Sequence, residues 1–201
     1  MKSIFFRLAP LILSALLFGG CEFLGPEVEQ TNGDYDWARG CLNEAITDLN
    51  LRDPLIIDYY SQYLDANGSY SREIATGGWL FELLMETTDE DAFFSTRYRL
   101  IELQIDRNGD YLIIRDYVYG RLFHRFTGVT EPSSEQIAAF IGFASDCYRR
   151  VSGKTDDVFY SVSCTGDETT RIDLYSIGFD RIAYAEFSLV SERMTEFFFY
   201  E

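Results

Sequence analysis

The stretch from Arg97 to Val118 constrains this chain more than any other. Arg97 to Ile105 alternates, placing Arg99, Ile101, Leu103 and Ile105 on one face. Asp106-Arg107-Asn108-Gly109-Asp110 follows, and Tyr111 to Val118 carries the pattern back. Asn-Gly between two alternating runs is a strong hairpin signal, because tight hairpin turns need positive φ and Asn and Gly tolerate it. A period of two commits the segment to a sheet with one buried face.

Further strand patterns surround this hairpin. Tyr70 to Thr76, Trp79 to Thr87 (a run that also fits a helix) and Gly120 to Phe126 lie on either side. Val158 to Cys164, Thr170 to Ile177, Arg181 to Val190 and Thr195 to Tyr200 close the chain, punctuated by Gly166, Gly178 and Ser191-Glu192-Arg193. Such short connections make an antiparallel meander. Helical spacing occurs three times. Asp36 reads as an N-cap before Cys41, Leu42, Ala45, Ile46 and Leu49. Asp53-Pro54 reads as the start of a second helix with Ile56, Tyr60, Tyr63 and Leu64 as its stripe. Ser133 and Gln136 have capping-box spacing ahead of Ile137, Phe140, Ile141, Ala144 and Tyr148, and Gly153 stands past the end. The expected fold is α+β: a curved, antiparallel, hairpin-rich sheet with two N-terminal helices and one inserted helix. The strand count also fits a lipocalin-like β-barrel with added helices, Gly78-Trp79 standing where a small barrel begins. No internal repeat is evident.

The first residues carry a different signal. Lys2 and Arg7 flank an uncharged apolar run from Leu8 to Phe18, with the small Gly19 and Gly20 behind it. This is the layout of a secretory signal, and the run falls short of the ~20 residues that span a bilayer. Leu17-Phe18-Gly19-Gly20-Cys21 resembles the lipobox of bacterial lipoproteins, with Phe18 where that pattern prefers an aliphatic residue. The resemblance covers residues 1–21 only. It implies a signal peptide over 1–20, fatty acylation of Cys21 (palmitate among the acyl groups), a lipidated tether over 21–35 and a single domain over 36–201. Several buried acyl chains, at about 0.8 kcal/mol per methylene, anchor a protein stably in the lipid bilayer. Glu22 stands where Asp would signal inner-membrane retention, so the resemblance implies the outer membrane, facing the periplasm.

Cleavage before Cys21 removes Lys2 and Arg7, leaving 15 basic against 33 acidic side chains, a formal charge of −18. That charge opposes binding to nucleic acid and to anionic lipid surfaces. An oxidising compartment permits a disulfide. Cys147 and Cys164 are the favoured pair, closing a loop worth roughly 3 kcal/mol, with Cys41 left as a free thiol on a helix.

No motif carries a clear catalytic, cofactor or metal site. His124 is the only histidine, so no multi-histidine metal centre can form. Asp106, Asn108 and Asp110 lack the glycine and glutamate of a calcium loop. Asp89-Glu90-Asp91 and Asp156-Asp157 read as solvated turns. Glu102 and Asp116, on the two arms of the hairpin, are the kind of paired acids a glycoside hydrolase would need, but ordinary cross-strand pairing with Arg99 or Arg115 is the better account of them, and no catalytic site is assigned there. Aromatic residues are abundant, 14 Tyr and 17 Phe, with clusters at Tyr59, Tyr60, Tyr63 and Tyr70 and at Phe197 to Tyr200. The functional expectation is a membrane-anchored envelope lipoprotein, non-enzymatic, that binds a partner protein or serves as a structural module. The alternatives are a carrier or sensor of a small apolar ligand and a carboxylate-dependent hydrolase.

Overall fold

A computed structural model describes residues 33–71, 77–87, 97–119 and 127–200 of the chain. Within the unit Thr31–Glu201, helix α1 (Tyr35–Asp48) leads into strands β1 (Leu55–Leu64), β2 (Trp79–Thr87), β3 (Arg97–Ile105) and β4 (Tyr111–Tyr119). Helix α2 (Ser134–Ser152) then leads into β5 (Val158–Gly166), β6 (Thr169–Ser176), β7 (Arg181–Ser188) and β8 (Arg193–Phe199). All eight strands form one antiparallel sheet in the order β4-β3-β2-β1-β5-β6-β7-β8. The fold is α+β, and the curved sheet is open, with β4 and β8 as its edges. The barrel alternative is therefore set aside. Of the strand expected over 70–76, Tyr70 makes a single bridge to Leu64. Residues 72–76 and the strand expected over 120–126 lie outside the described residues.

The order is a palindrome. A helix followed by a four-strand meander occurs twice, and the first strands of the two units, β1 and β5, pair at the centre. This topological repeat leaves no readable trace in the sequence. Helix α1 runs over β3 and β4, and α2 over β6, β7 and β8. Their N-termini meet: the Asp36 backbone N–H donates to Ser134 Oγ at 2.8 Å, and the Ser134 N–H to Asp36 Oδ2 at 3.1 Å. Asp36 and Glu135 in the first turns compensate the positive helix ends.

Local chemistry sets the helix limits. The Asp34 side chain caps α1 by accepting from the Trp37 N–H, two residues ahead of the expected cap Asp36. In α2 the capping box of Ser133 and Gln136 is formed in both directions, and Gly153 ends the helix with φ 68°. In the hairpin, Gly109 takes φ 87°, and a Cβ there would stand 3.1 Å from Cys41 Sγ, so a larger residue meets both backbone strain and α1.

The expected helix after Asp53-Pro54 is instead strand β1, paired on both sides. Register shifts occur between Ile56 and Asp58 and between Ser61 and Leu64, with Tyr63 at φ 61°. The inward positions become Ile56, Tyr59, Ser61 and Leu64. Bulges thus stretch the strand period to steps of three, two and three residues, which imitates helical spacing.

The core lies between the helices and one face of the sheet. In the first unit the buried Tyr35 packs edge-on to Tyr59 and Trp79, with centroids at 5.4 and 5.1 Å. Trp79 Nε1 donates to Gly33 O at 3.1 Å. In the second unit Phe140 stacks on Phe187 at 4.4 Å.

The expected Cys147–Cys164 disulfide is absent; Cys41, Cys147 and Cys164 are free thiols. Thr130 N–H donates to Asp167 O, so the end of β5 lies beside the start of α2. Cys147 sits near the far end of that helix, roughly 20 Å along its axis.

Candidate interaction surface

The face of the sheet opposite the helices carries no helix among the described residues. Register pairing traces one row across all eight strands: Leu112, Gln104, Leu80, Tyr60, Ser163, Arg171, Glu186 and Glu196. Side chains in such a row share a face and touch their neighbours.

Edge strand β4 is exposed along its full length. Seven of its nine residues are apolar or aromatic; Leu112 is 61% exposed, Val118 59% and Tyr117 51%. Among the described residues one side of this long, apolar edge has no strand partner, and such an edge is a template for another chain. The other edge, β8, is less apolar, with Met194 and Phe198 as its exposed large side chains. Alternation holds at the C-terminus. Phe197 and Phe199 pack against the core, while Phe198 stacks on Tyr184 at 5.6 Å on the open face.

The open face differs in charge between the two units. In the first, Asp58 on β1 is opposite Glu82 on β2, which is opposite Glu102 on β3, which is opposite Arg115 on β4. Three carboxylates in a row thus meet one guanidinium. Glu102 is 8% exposed, and its Oε2 makes no hydrogen bond, although Arg115 Nε lies 3.2 Å away. Burial raises the Asp58 carboxyl above its ordinary range, reinforced by Glu102. Burial likewise raises Glu82, reinforced by Asp58 and Glu102 and opposed by Arg115.

In the second unit the corresponding row is Ser161, Asp173, Tyr184 and Phe198. Its single carboxylate, Asp173, accepts from Arg171 Nε at 3.1 Å and from Arg181 at 3.4 Å. Arg171 lies over the Tyr184 ring at 3.7 Å and Arg181 over Tyr200 at 4.9 Å. Nearby, burial pushes Tyr60 up to about 12, so its hydroxyl stays protonated.

The sequence-derived candidates separate accordingly. Glu102 and Asp116 do not form a catalytic pair. Asp116 is opposite the core residue Ile101 and so lies on the other face from Glu102. Arg99 binds it through two hydrogen bonds, at 2.9 and 2.8 Å, and holds its carboxyl below the usual range. Asp106 turns its Oδ1 back to the N–H groups of Asn108 and Asp110, as a hairpin turn requires. Asp156 and Asp157 are exposed ahead of β5. Tyr59 points inward and hydrogen-bonds Thr170, while Tyr63 packs edge-on to Phe179. Cys21, His124 and Asp89-Glu90-Asp91 lie outside the described residues. Asp58 and Glu82 escaped sequence reasoning, because the row exists only once β1 is a strand with a known register.

Clefts occur on the helix side. One of about 380 Å³ is walled by Asp65, Ser145, Tyr148, Arg149, Asp157 and Tyr160. Another, of about 630 Å³, runs along α2 beside Gln136, Phe140, Phe143 and Glu192. The charged side chains in both walls match an apolar ligand poorly. No protein-family model, no curated protein and no solved structure matches this chain.

Proposed function

We propose that the chain is a lipid-anchored envelope protein, non-enzymatic, whose domain binds a partner protein along β4. The supporting observation is the edge itself: nine exposed residues, seven of them apolar or aromatic, without a strand partner on the outer side among the described residues. Soluble proteins blunt such edges with charge or proline. Here Arg115 and Asp116 are the charges, and Asp116 is occupied by Arg99. Strand addition uses backbone groups for affinity and alternate side chains for selection, which suits an exposed strand of this length. Acylation at Cys21 holds the domain at a bilayer. The residues between Cys21 and Gly33 reach at most roughly 40 Å.

The test is photo-cross-linking in intact cells from position Leu112 or Val118 on β4, with Gly142 on α2 as the control position. A discrete adduct from the β4 sites alone is expected. No adduct, or the same adducts from Gly142, removes this reading. Cys21→Ser is expected to move the protein from the membrane to the soluble fraction; a protein that stays with the membrane removes the lipid anchor.

A further inference from the structure

The same five-residue turn occurs twice, with opposite chemistry. Between β3 and β4, the Asp106 N–H donates to Asp110 O at 2.9 Å, the Gly109 N–H to Asp106 O at 3.2 Å, and the Asp110 N–H to Asp106 Oδ1 at 3.0 Å. Between β6 and β7, the Ser176 N–H donates to Asp180 O at 2.9 Å, the Phe179 N–H to Ser176 O at 2.9 Å, and the Asp180 N–H to Ser176 Oγ at 3.2 Å. The fourth residue is left-handed in both: Gly109 at φ 87° and Phe179 at φ 67°. A bulky ring is strained there, where glycine is free. Gly178 stands one position earlier and does not take positive φ. The first turn reads Arg-Asn-Gly at its tip and the second Ile-Gly-Phe, so the second shows water two large apolar side chains, Ile177 60% and Phe179 52% exposed.

The strained ring has a definite place. Phe179 meets Tyr63 edge-on at 5.3 Å and stacks on Phe159 at 6.2 Å. Tyr63 is itself left-handed, at φ 61°. Two aromatic residues thus hold unfavourable backbone and converge on the open face, and strain of this kind gathers where a surface does work. The charges beside them are paired within the face. Arg171 lies against Asp173 and Glu186, Arg181 against Asp173, and Glu196 accepts from the Tyr184 hydroxyl. An ionised ligand would have to break one of these pairs. Exposed rings, with arginines laid over tyrosines beside them, are the composition of interface hot spots.

We infer that Phe179, backed by Tyr63 and Phe159, is the centre of a second interaction surface, separate from β4, that seats an uncharged apolar segment of a partner protein. A bilayer fits less well. Asp180 adjoins the ring, and Asp156 and Asp157 line the cleft beside Ile177, with Lys154 as its one base. These carboxylates repel anionic headgroups. A second copy of the chain brings the same formal charge of −16 and is disfavoured.

The test places the photo-cross-linker benzoyl-phenylalanine at position Tyr175, opposite Phe159 on the open face. Intact cells making the full chain are irradiated, with and without Phe179→Gly or Leu112→Glu, and mass spectrometry identifies what is attached. The expected adduct is an apolar, uncharged segment of a different protein. Its yield should fall at least about tenfold with Phe179→Gly, as loss of a hot-spot ring implies, and hold with Leu112→Glu. The melting temperature of Phe179→Gly should equal or exceed that of the wild type, because glycine relieves the left-handed backbone. A melting temperature lower by more than about 4 °C would show that the ring is kept for packing and overturn the inference. An adduct to lipid, to a second copy or to a charged segment overturns it, as does the absence of any adduct. An adduct lost with Leu112→Glu but kept with Phe179→Gly belongs to β4; it overturns this inference and leaves the β4 reading intact.

Discussion

The two units share a topology and differ in the charges they display. Each has a capped helix and a four-strand meander, and each buries aromatic residues under its helix: Tyr35 and Trp79 in the first, Phe140 and Phe187 in the second. On the open face they diverge. In the second unit Arg171 lies against both Asp173 and Glu186, Arg181 also reaches Asp173, and both arginines lie over tyrosine rings. Among the described residues, the first sets three carboxylates in one row with a single arginine and ends in an exposed apolar strand. A common scaffold thus carries two open faces that differ in how their charges are paired.

The largest expected effect tests whether the halves fold as one. Trp79→Ala and Phe187→Ala should each cost about 3–5 kcal/mol. Both should shift a single denaturant transition seen equally by tryptophan fluorescence and far-ultraviolet circular dichroism. Two transitions would show independent units. Next, Asp173→Asn should cost about 2 kcal/mol, because two arginines lose their carboxylate. Glu82→Gln should do the opposite and raise stability by roughly 0.5 kcal/mol, as relief of cross-strand repulsion allows. Thermal melts of the two variants side by side check the sign, and equal signs would erase the contrast between the units. Tyr59→Phe breaks the hydrogen bond to Thr170 that ties the first unit to the second, and should cost about 1 kcal/mol.

The smallest effect is one of pH. The folded state holds Asp58 and Glu82 above their ordinary pKa, so their ionisation opposes folding. Stability should rise slightly as the pH falls from neutral through their folded values. At lower pH, Asp116 works in the other direction: its carboxyl is depressed, and its pair with Arg99 is lost as the pH falls through its folded value. Melting temperatures from about pH 7 to pH 3 should pass through a shallow maximum, and Asp58→Asn/Glu82→Gln should flatten the rising limb.

The sequence is most legible where structure is local. The Arg97–Ile105 strand, the Asn108-Gly109 turn and the capping box at Ser133 follow from neighbours within a few residues, and all three are present. The pairings of Arg99 and Arg115 follow from the same hairpin. Strand β1 reads as a helix because two bulges shift its inward positions, and its pairing with β5 joins residues about a hundred positions apart. The disulfide fails for a related reason: spacing along the chain does not say that β5 carries Cys164 back to the start of α2. The carboxylate row is hidden twice over, since it needs both β1 as a strand and the register of three strands.

The central seam of the sheet is also its thinnest. β1 and β5 share three register pairs, against nine between β2 and β3. Every other strand pairing joins neighbours in the chain, so each meander can zip between consecutive strands while the seam waits for a longer closure. Folding speed should therefore be governed by the meeting of two preformed halves. The same architecture permits exchange: at high concentration, the β1 of one molecule can accept the β5 of another and give an interlocked dimer with native contacts throughout. The seam that unites the domain is then also where two chains can trade halves.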